Sequence, residues 1–201
     1  VALTYGSTDS GRAGIVGLGW DLTTSYVMRD TNYSEFNPAD DKFKLVLNGQ
    51  SHDLIRLDPN GRFYTEIESD VLIQYDPDGG SNSYAGYWIV TDKSGTTYRF
   101  GFNQDSERDC HRGGGYVWKW YLDEVTDTNG NHIYYGYSEG LSAEDIGVTY
   151  PTWIEYNNDR TRRVEFQYES SDRPDRPIVF ENSCWLREAR RLSQIRTYVD
   201  N

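Results

Sequence analysis

The sequence predicts an all-β fold, an antiparallel meander of hairpins of the kind found in a β-sandwich-like module. The first observation is local: short runs with apolar residues at alternate positions are separated by Asn-Gly and Asp-x-x-Gly turns. Such turns between period-2 runs are the strongest hairpin signal in a sequence, because Gly and Asn tolerate positive φ. The second is composition: 17 Tyr and 6 Trp, which favour strands, occur in 201 residues.

The predicted strands follow one another at short spacing, as expected for strands linked by hairpins. In chain order the runs are 43–47, 53–57, 62–67, 71–75, 87–90, 96–100, 118–125 and 132–135. The turns between them include Asn48-Gly49, Asp58–Gly61, Asp76–Gly80, Asp92–Gly95 and Asp127–Asn131.

Helical signals are scarce. Residues 142–146 allow one helical turn with Ser142 as its cap, and 186–192 fit a short helix or a strand equally well. Segments 81–86 and 103–115 are predicted to be loops. No stretch rich in Pro, Gly or Ser marks a linker, so the expected organisation is one all-β domain over residues 1–201.

Charge and length exclude several classes of protein. The net charge of −12 and the pI of about 4.6 disfavour a nucleic-acid partner, since phosphate binding needs a basic surface. The chain between residues 160 and 196 is locally basic, with nine Arg against six acids. No apolar run is long enough to span a bilayer, and no signal peptide begins the chain, so Val1 and Asn201 are interpreted as fragment boundaries.

The motifs of common enzymes and metal sites do not occur in the sequence. The glycine run 11–19 leads into a segment rich in β-branched and aromatic residues and not into a helix, so it does not fit a phosphate-binding loop. Gly-x-Ser-x-Gly, His-Glu-x-x-His and Cys-x-x-Cys are all missing. The expectation is therefore a protein that is not an enzyme, with no catalytic residue and no cofactor. Cys110 and Cys184 fit one disulfide or two separate thiols.

Two sets of residues are candidate ligand-binding sites. The Asp-rich turns resemble pieces of calcium loops; hairpin turns account for them, and weak Ca²⁺ binding at Asp76 and Asp78 is the alternative. A sugar-binding platform of clustered aromatic rings is the second possibility, with Trp118 and Trp120 on one strand face by their spacing. Burial in the core is the competing interpretation of the same rings. The residues of this platform are Tyr87, Trp88, Tyr116, Trp118 and Trp120.

Several motifs resemble the Rhs/YD-repeat family, in particular the N-terminal region of SpvB and Tc-toxin B (TcB-like) chains. The most specific is Trp120–Tyr137, similar to the unit Trp-x-Leu-x-x-Ile/Val-x-Asp-x-x-Gly-Asn-x-Ile-x-Tyr-x-Tyr. The opening Leu3–Tyr5 followed by Gly17–Leu22 and Arg29 fits as well. Further matching segments are Asp41–Leu45, Gly49–Leu54, Pro151–Tyr156, Val164–Glu169 and Arg191–Tyr198.

This resemblance implies a secreted bacterial protein in which the chain is one strip of a hollow, Rhs-like β shell around a toxic C-terminal cargo. The family's catalytic parts lie far downstream, and none is carried over to these residues. The partner is then the rest of the same polypeptide or a shell-completing chain. The sheet-holding residues are expected to be Gly17, Gly19, Trp20, Trp120, Asp127, Gly130, Asn131 and Tyr135. The rival interpretation is a carbohydrate-binding β module of a secreted bacterial protein, with a polysaccharide as its partner.

Overall fold

The computed structural model describes residues 1–6, 13–31, 41–58, 61–84, 86–109, 117–176, 178–182 and 184–199. All of its regular elements are β-strands. They are β1 (Leu3–Tyr5), β2 (Ala13–Gly14), β3 (Gly17–Leu18), β4 (Trp20–Leu22), β5 (Tyr26–Asp30), β6 (Lys42–Leu47), β7 (Gln50–Arg56), β8 (Arg62–Thr65), β9 (Leu72–Asp76), β10 (Tyr87–Thr91), β11 (Thr97–Phe100), β12 (Glu107–Asp109), β13 (Val117–Thr126), β14 (His132–Glu139), β15 (Thr149–Tyr156), β16 (Arg162–Tyr168), β17 (Val179–Glu181), β18 (Cys184–Leu186) and β19 (Leu192–Val199). Across these ranges, no helix has the length and apolar character needed to cross a membrane.

Eight strands form a closed, barrel-like sheet. Strands β5 to β11 pair in sequence order, each antiparallel to the next, and β13 pairs with both β11 and β5. The predicted antiparallel meander is confirmed. Because β13 pairs with both β11 and β5, the two ends of the meander are joined and neither is left as a free sheet edge.

Strand β13 also begins a second, open sheet. Its residues 124–126 pair with β14, and the order continues through β15 and β16 to β19. Two small hairpins, β1–β4 and β17–β18, and the short β2–β3 pair lie outside this path. The described chain therefore has two main parts that share β13: the eight-strand barrel and an open sheet in which β14, β15, β16 and β19 follow β13.

The hairpin turn at Asn48-Gly49 forms where the sequence predicts it. Asn48 and Gly49 both have positive φ, 52° and 82°, between the paired residues Leu47 and Gln50. Two central residues with positive φ define the type I′ turn, whose twist matches that of the strands.

The core of the barrel is aromatic. Trp88 and Trp120 are 0% and 1% exposed and lie with Phe63 and Phe100 in one cluster of buried apolar side chains. The indole N–H of Trp120 donates to the carbonyl of Gly86 at 3.2 Å. Tryptophan thus supplies the buried area that a chain with 36% hydrophobic residues otherwise lacks.

Two bulges interrupt β13. Opposite β12, the register passes from Lys119 to Val117, so Trp118 is the extra residue; opposite β11 it passes from Glu124 to Leu122, so Asp123 is extra. An extra residue shifts the side-chain alternation of a strand and turns a side chain toward a new neighbour. Trp118 consequently packs with Cys184 and Leu186, in a cluster separate from that of Trp120.

Residues 142–146 form a turn that Ser142 caps, as expected, but the turn is not helical. The amides of Leu141 and Ser142 donate to Asp145 Oδ2 at 2.7 and 2.9 Å, and the amide of Glu144 donates to Ser142 Oγ at 3.1 Å. Side-chain acceptors therefore satisfy the backbone donors and close a turn in place of a helix. The ambiguous segment 186–192 is likewise not helical, since β18 ends at Leu186 and β19 starts at Leu192.

We expect Gly101→Ala to destabilise the barrel by about 2–4 kcal/mol. Gly101 has φ +72°, which costs an L-residue about 1 kcal/mol, and a Cβ there would lie 2.8 Å from Trp120 Cβ and Cγ, an overpacked contact costing about 1–3 kcal/mol. Urea unfolding followed by tryptophan fluorescence measures the change.

Gly130→Ala is the matched control, because Gly130 has a similar φ of +78° and an added Cβ meets nothing within 4 Å. It should lose only the backbone contribution of about 1 kcal/mol. Equal losses in the two variants would contradict the role of the Trp120 contact.

Candidate functional site

The open sheet has one apolar face. Cross-strand partners place their side chains on the same face, and the pairs Tyr135–Ile154 and Ile154–Val164 are in register. Burial raises the pKa of Tyr135 to about 12, so its hydroxyl stays neutral on this face. The apolar side chains are Ile133, Tyr135, Ile154, Tyr156, Val164, Phe166 and Ile195.

The N-terminal segment covers this face in part. Val1, Ala2, Leu3 and Leu22 line the same groove of about 430 Å³ as the sheet residues. The segment is held there by the β1–β4 pairing, in which Leu3 lies opposite Leu22, and by the amide of Thr23, which donates to the carbonyl of Ala2 at 2.8 Å. Leu22 is 4% exposed whereas Leu3 is 49% exposed, so the cover is incomplete.

The opposite face of the open sheet is a network of charges. Arg163 contacts Glu155 at 3.3 Å and Glu165 at 3.1 Å. Toward the barrel, Glu124 lies 2.7 Å from Arg99 and 2.6 Å from Nδ1 of His132. The sheet is therefore amphipathic, with one face suited to water and the other suited to burial.

The far edge of this sheet is open. Within the part of the chain that the structure describes, β19 pairs with β16 alone. All residues from Ser193 to Val199 are exposed, including Ile195 at 38% and Val199 at 65%. The start of the strand is anchored, because the amide of Leu192 donates to the carbonyl of Ile15 at 2.7 Å. An exposed strand with apolar side chains is a template for pairing with another strand.

A buried carboxylate joins the barrel wall to the loop that follows β11. Asp123 is 0% exposed and accepts from Nε of Arg99 at 2.7 Å and from the hydroxyl of Ser106 at 2.9 Å. The amides of Phe102 and Asn103 donate to its Oδ2 at 2.6 and 3.1 Å. Burial raises the pKa of Asp123, and Arg99 opposes that rise. All four of these hydrogen bonds come from the protein itself, so the carboxylate has a structural role in holding the loop.

The structure places the candidate sugar-binding residues in different surroundings. Trp88, Trp118 and Trp120 are at most 1% exposed, so they present no ring face to a ligand. The expectation that Trp118 and Trp120 share a face is wrong, because the bulge at Trp118 turns the two rings into separate clusters. Tyr87 is half-buried, 5.1 Å from the ring of Phe102, and Tyr116 lies outside the described residues.

The rings that are exposed lie elsewhere. Trp20, expected to hold the sheet, is 46% exposed and packs 5.1 Å from the ring of Tyr5 on the β1–β4 hairpin. Trp185 is 48% exposed and lies 5.3 Å from the ring of Phe180 on the β17–β18 hairpin. Sequence spacing alone does not distinguish these two Trp residues from the buried ones.

The Asp-rich turns use their carboxylates internally. Asp76 Oδ1 accepts the amides of Asp78 and Gly79, each at 3.1 Å, and Asp127 Oδ1 accepts those of Asn129 and Asn131 at 2.8 and 2.9 Å. The described residues contain no group of three or more His, Cys, Asp or Glu placed to hold a metal. Calcium binding at Asp76 and Asp78 stays a prediction.

Cys184 is disulfide-bonded and 1% exposed. The only other cysteine in the sequence is Cys110, which lies outside the described residues.

Comparisons with known proteins agree with this architecture. The family model described as SpvB, Salmonella virulence plasmid 65kDa B protein, matches residues 62–173. No curated protein sequence matches the chain. Among solved structures, the N-terminal domain of effector protein SpvB from Salmonella typhimurium strain LT2 superposes with a TM-score of 0.80 at 18% identity, over 98% of this chain and 81% of that one.

Tc-toxin chains have the same fold. A crystal structure of TcdB2-TccC3 superposes with a TM-score of 0.82 at 16% identity, and a Photorhabdus luminescens Tc holotoxin pore with 0.74 at 16% identity. Each covers 98% of this chain, which spans only 12% of theirs. The fold is therefore that of one segment within much longer Tc-toxin chains. Because the family model covers more than half of the sequence, the chain belongs to the SpvB family.

Proposed function

We propose that the chain is a non-catalytic wall segment of a secreted, Tc-toxin-like bacterial protein, in which it helps to enclose a toxic C-terminal cargo. The observation that carries the proposal is the amphipathic sheet that ends at the open edge of β19. Its partner is the rest of the same polypeptide, with its Tyr-Asp repeats, or a shell-completing chain.

The open edge supports an extended wall. A strand whose N–H and C=O groups lack a partner is an aggregation risk, and proteins usually protect such edges with charge, proline or a covering element. In β19 the only charged side chain is Arg196, and Ile195 continues the apolar face of the sheet. A further strand laid against β19 would satisfy its backbone and extend both faces.

The ionisable side chains support a structural role. Asp123 is held by four donors, and Asp145 accepts from the hydroxyl of Tyr150 and the amide of Ala189, each at 2.7 Å. Carboxylates fixed in this way stabilise loops and are poorly placed to exchange protons with a substrate.

The test is protection of the cargo in the full-length protein. We expect Ile195→Asp to place a charge on the apolar face at the edge, to weaken pairing with the next strand, and to make the downstream segment digestible by added protease. Limited proteolysis followed by mass spectrometry measures this digestion.

Gln194→Asp is the matched control, since Gln194 is the neighbouring residue of β19 and its side chain lies on the opposite face. It should leave protection unchanged. A wild-type protein whose downstream segment is digested as fast as the same segment alone would overturn the enclosure proposal, as would a reading frame with no Tyr-Asp repeats after these residues.

A further inference from the structure

A second buried carboxylate, Glu107, lies in surroundings unlike those of Asp123. It is 1% exposed, on β12, opposite Trp120 of β13. Its Oε1 accepts the amide of Ser83 at 2.9 Å, and its Oε2 is buried with no hydrogen-bond partner among the described residues. One carboxylate oxygen thus holds a turn, and the other is buried without a compensating donor from the part of the chain that the structure describes.

The charges around Glu107 add to this cost. Glu139 on β14 and Asp109 on β12 both disfavour its negative charge. Two cations lie near Glu107, Arg108 on the same strand and Lys119 opposite Arg108 on β13, but both are directed elsewhere. The guanidinium of Arg108 lies 5.5 Å from the ring of Trp118, and Nζ of Lys119 lies 3.8 Å from the ring of Tyr26. Burial is the largest cause and raises the pKa of Glu107 to about 7. The hydrogen bond from the Ser83 amide favours the charged form and opposes this rise, and the two acids reinforce it.

The turn that Glu107 holds lies against one end of the barrel. The amide of Ser81 donates to the carbonyl of Phe102 at 2.8 Å, and Nδ2 of Asn82 donates to the carbonyl of Gly86 at 2.9 Å. The hydroxyl of Tyr84 donates to Oδ2 of Asp109 at 2.8 Å. The same Gly86 carbonyl accepts from the indole of Trp120. The turn is therefore connected to β12 and to the barrel core.

We propose that Glu107 is a proton-controlled latch that holds the turn at residues 81–84 against the end of the barrel when neutral and loosens it when charged. The neutral carboxyl still accepts the hydrogen bond from the Ser83 amide, and its burial costs less free energy than burial of the charged carboxylate. The charged carboxylate gains solvation when Ser83 and Tyr84 move away and water enters. Tyr75 and Tyr84, the titratable phenols nearby, both have raised pKa values and stay neutral in this range.

The direction of the effect follows from linkage. Because the pKa of Glu107 in the folded state lies above its ordinary value, its favourable contribution is complete below about pH 4.5 and is lost as the pH rises through about 7. The latch is closed in mildly acidic solution and opens in mildly alkaline solution.

The test measures the exchange protection of the Ser83 amide in the 201-residue chain by NMR, corrected for the intrinsic pH dependence of exchange. A rise of pKa from 4.5 to about 7 limits the total loss of protection to about 300-fold, spread over the range from about pH 4 to pH 8.5. We expect protection to fall measurably across this range, with up to about tenfold of the loss between about pH 6 and pH 8.5. The Trp120 indole proton should shift with the same midpoint.

Two variants separate the latch from general loosening. Glu107→Gln, which imitates the neutral form, should keep Ser83 protected across the range, and Glu139→Gln should move the midpoint to lower pH by removing a repulsion. A carbon-13 titration of the Glu107 carboxyl in the wild type does not depend on any variant folding. A carboxyl midpoint below about pH 5, or Ser83 protection that does not change with pH, would overturn the proposal.

Discussion

Replacing Asp123 with Ala is expected to lower the free energy of unfolding by about 3–5 kcal/mol, the usual cost of removing one partner from a buried ion pair. Asp123 is 0% exposed, and its loss leaves Nε of Arg99 without the carboxylate that accepts from it at 2.7 Å, while Nη1 of Arg99 keeps its contact with Glu124. It also leaves the amides of Phe102 and Asn103 without the carboxylate that accepts them. Chemical unfolding followed by circular dichroism measures the change.

Asp53→Ala is the control for this prediction. Asp53 is also a strand aspartate with a cation beside it, Nζ of Lys44 at 3.4 Å, but its side chain is 62% exposed. Exposed pairs contribute about 0–1 kcal/mol, so the variant should be close to wild type. A loss for Asp123→Ala no larger than that for Asp53→Ala would show that the buried carboxylate does not hold the loop.

The strands and turns follow from local sequence because local chemistry decides them. The run predicted at 43–47 is β6 at 42–47, and the run at 118–125 is β13 at 117–126. Between β6 and β7, Asn48 and Gly49 both adopt positive φ, a backbone conformation that few other residues tolerate. Where a turn sequence is flanked by two alternating runs, the hairpin can be predicted from these residues alone.

Closure of the barrel depends on contacts far apart in sequence. Strand β5 pairs with β13 through Val27 opposite Trp120, and hairpin spacing does not predict that pair. The family resemblance implies a strip of sheet within a shell, and a resemblance of motifs does not specify which strands close on one another. The closed eight-strand sheet is therefore a finding of the structure.

A bulge explains why the sequence does not predict the burial of Asp123. In a regular strand the side chains of Leu122 and Asp123 would point to opposite faces, with Leu122 in the core. The sequence pattern therefore predicts an exposed Asp123. The extra residue opposite β11 removes Asp123 from the ladder, and the loop from Phe102 to Ser106 folds over it. Glu107 gave no sequence signal either, because its burial depends on the turn at residues 81–84, some 25 residues earlier.

Trp88→Ala is expected to destabilise the barrel by about 3–5 kcal/mol, the range for removing a large aromatic side chain from a core. Trp88 is 0% exposed, and its ring lies 4.7 Å from Tyr75, 4.8 Å from Phe63 and 5.0 Å from Phe43. The cavity would open among rigid rings from three other strands, which cannot collapse into it without shifting the ladder. Thermal and urea unfolding measure the loss.

Trp185→Ala is the matched control, since its ring is 48% exposed on the β17–β18 hairpin. It should change stability much less, and Trp88→Phe, which keeps part of the ring volume, should fall between the two. This order has a direct consequence for any polysaccharide-binding assay: loss of retention in Trp88→Ala would report a damaged core, whereas the same loss in Trp185→Ala would report a surface. Equal stability of Trp88→Ala and wild type would mean that the barrel core is not packed as described, and the assignment of Trp88 to that core would have to be abandoned.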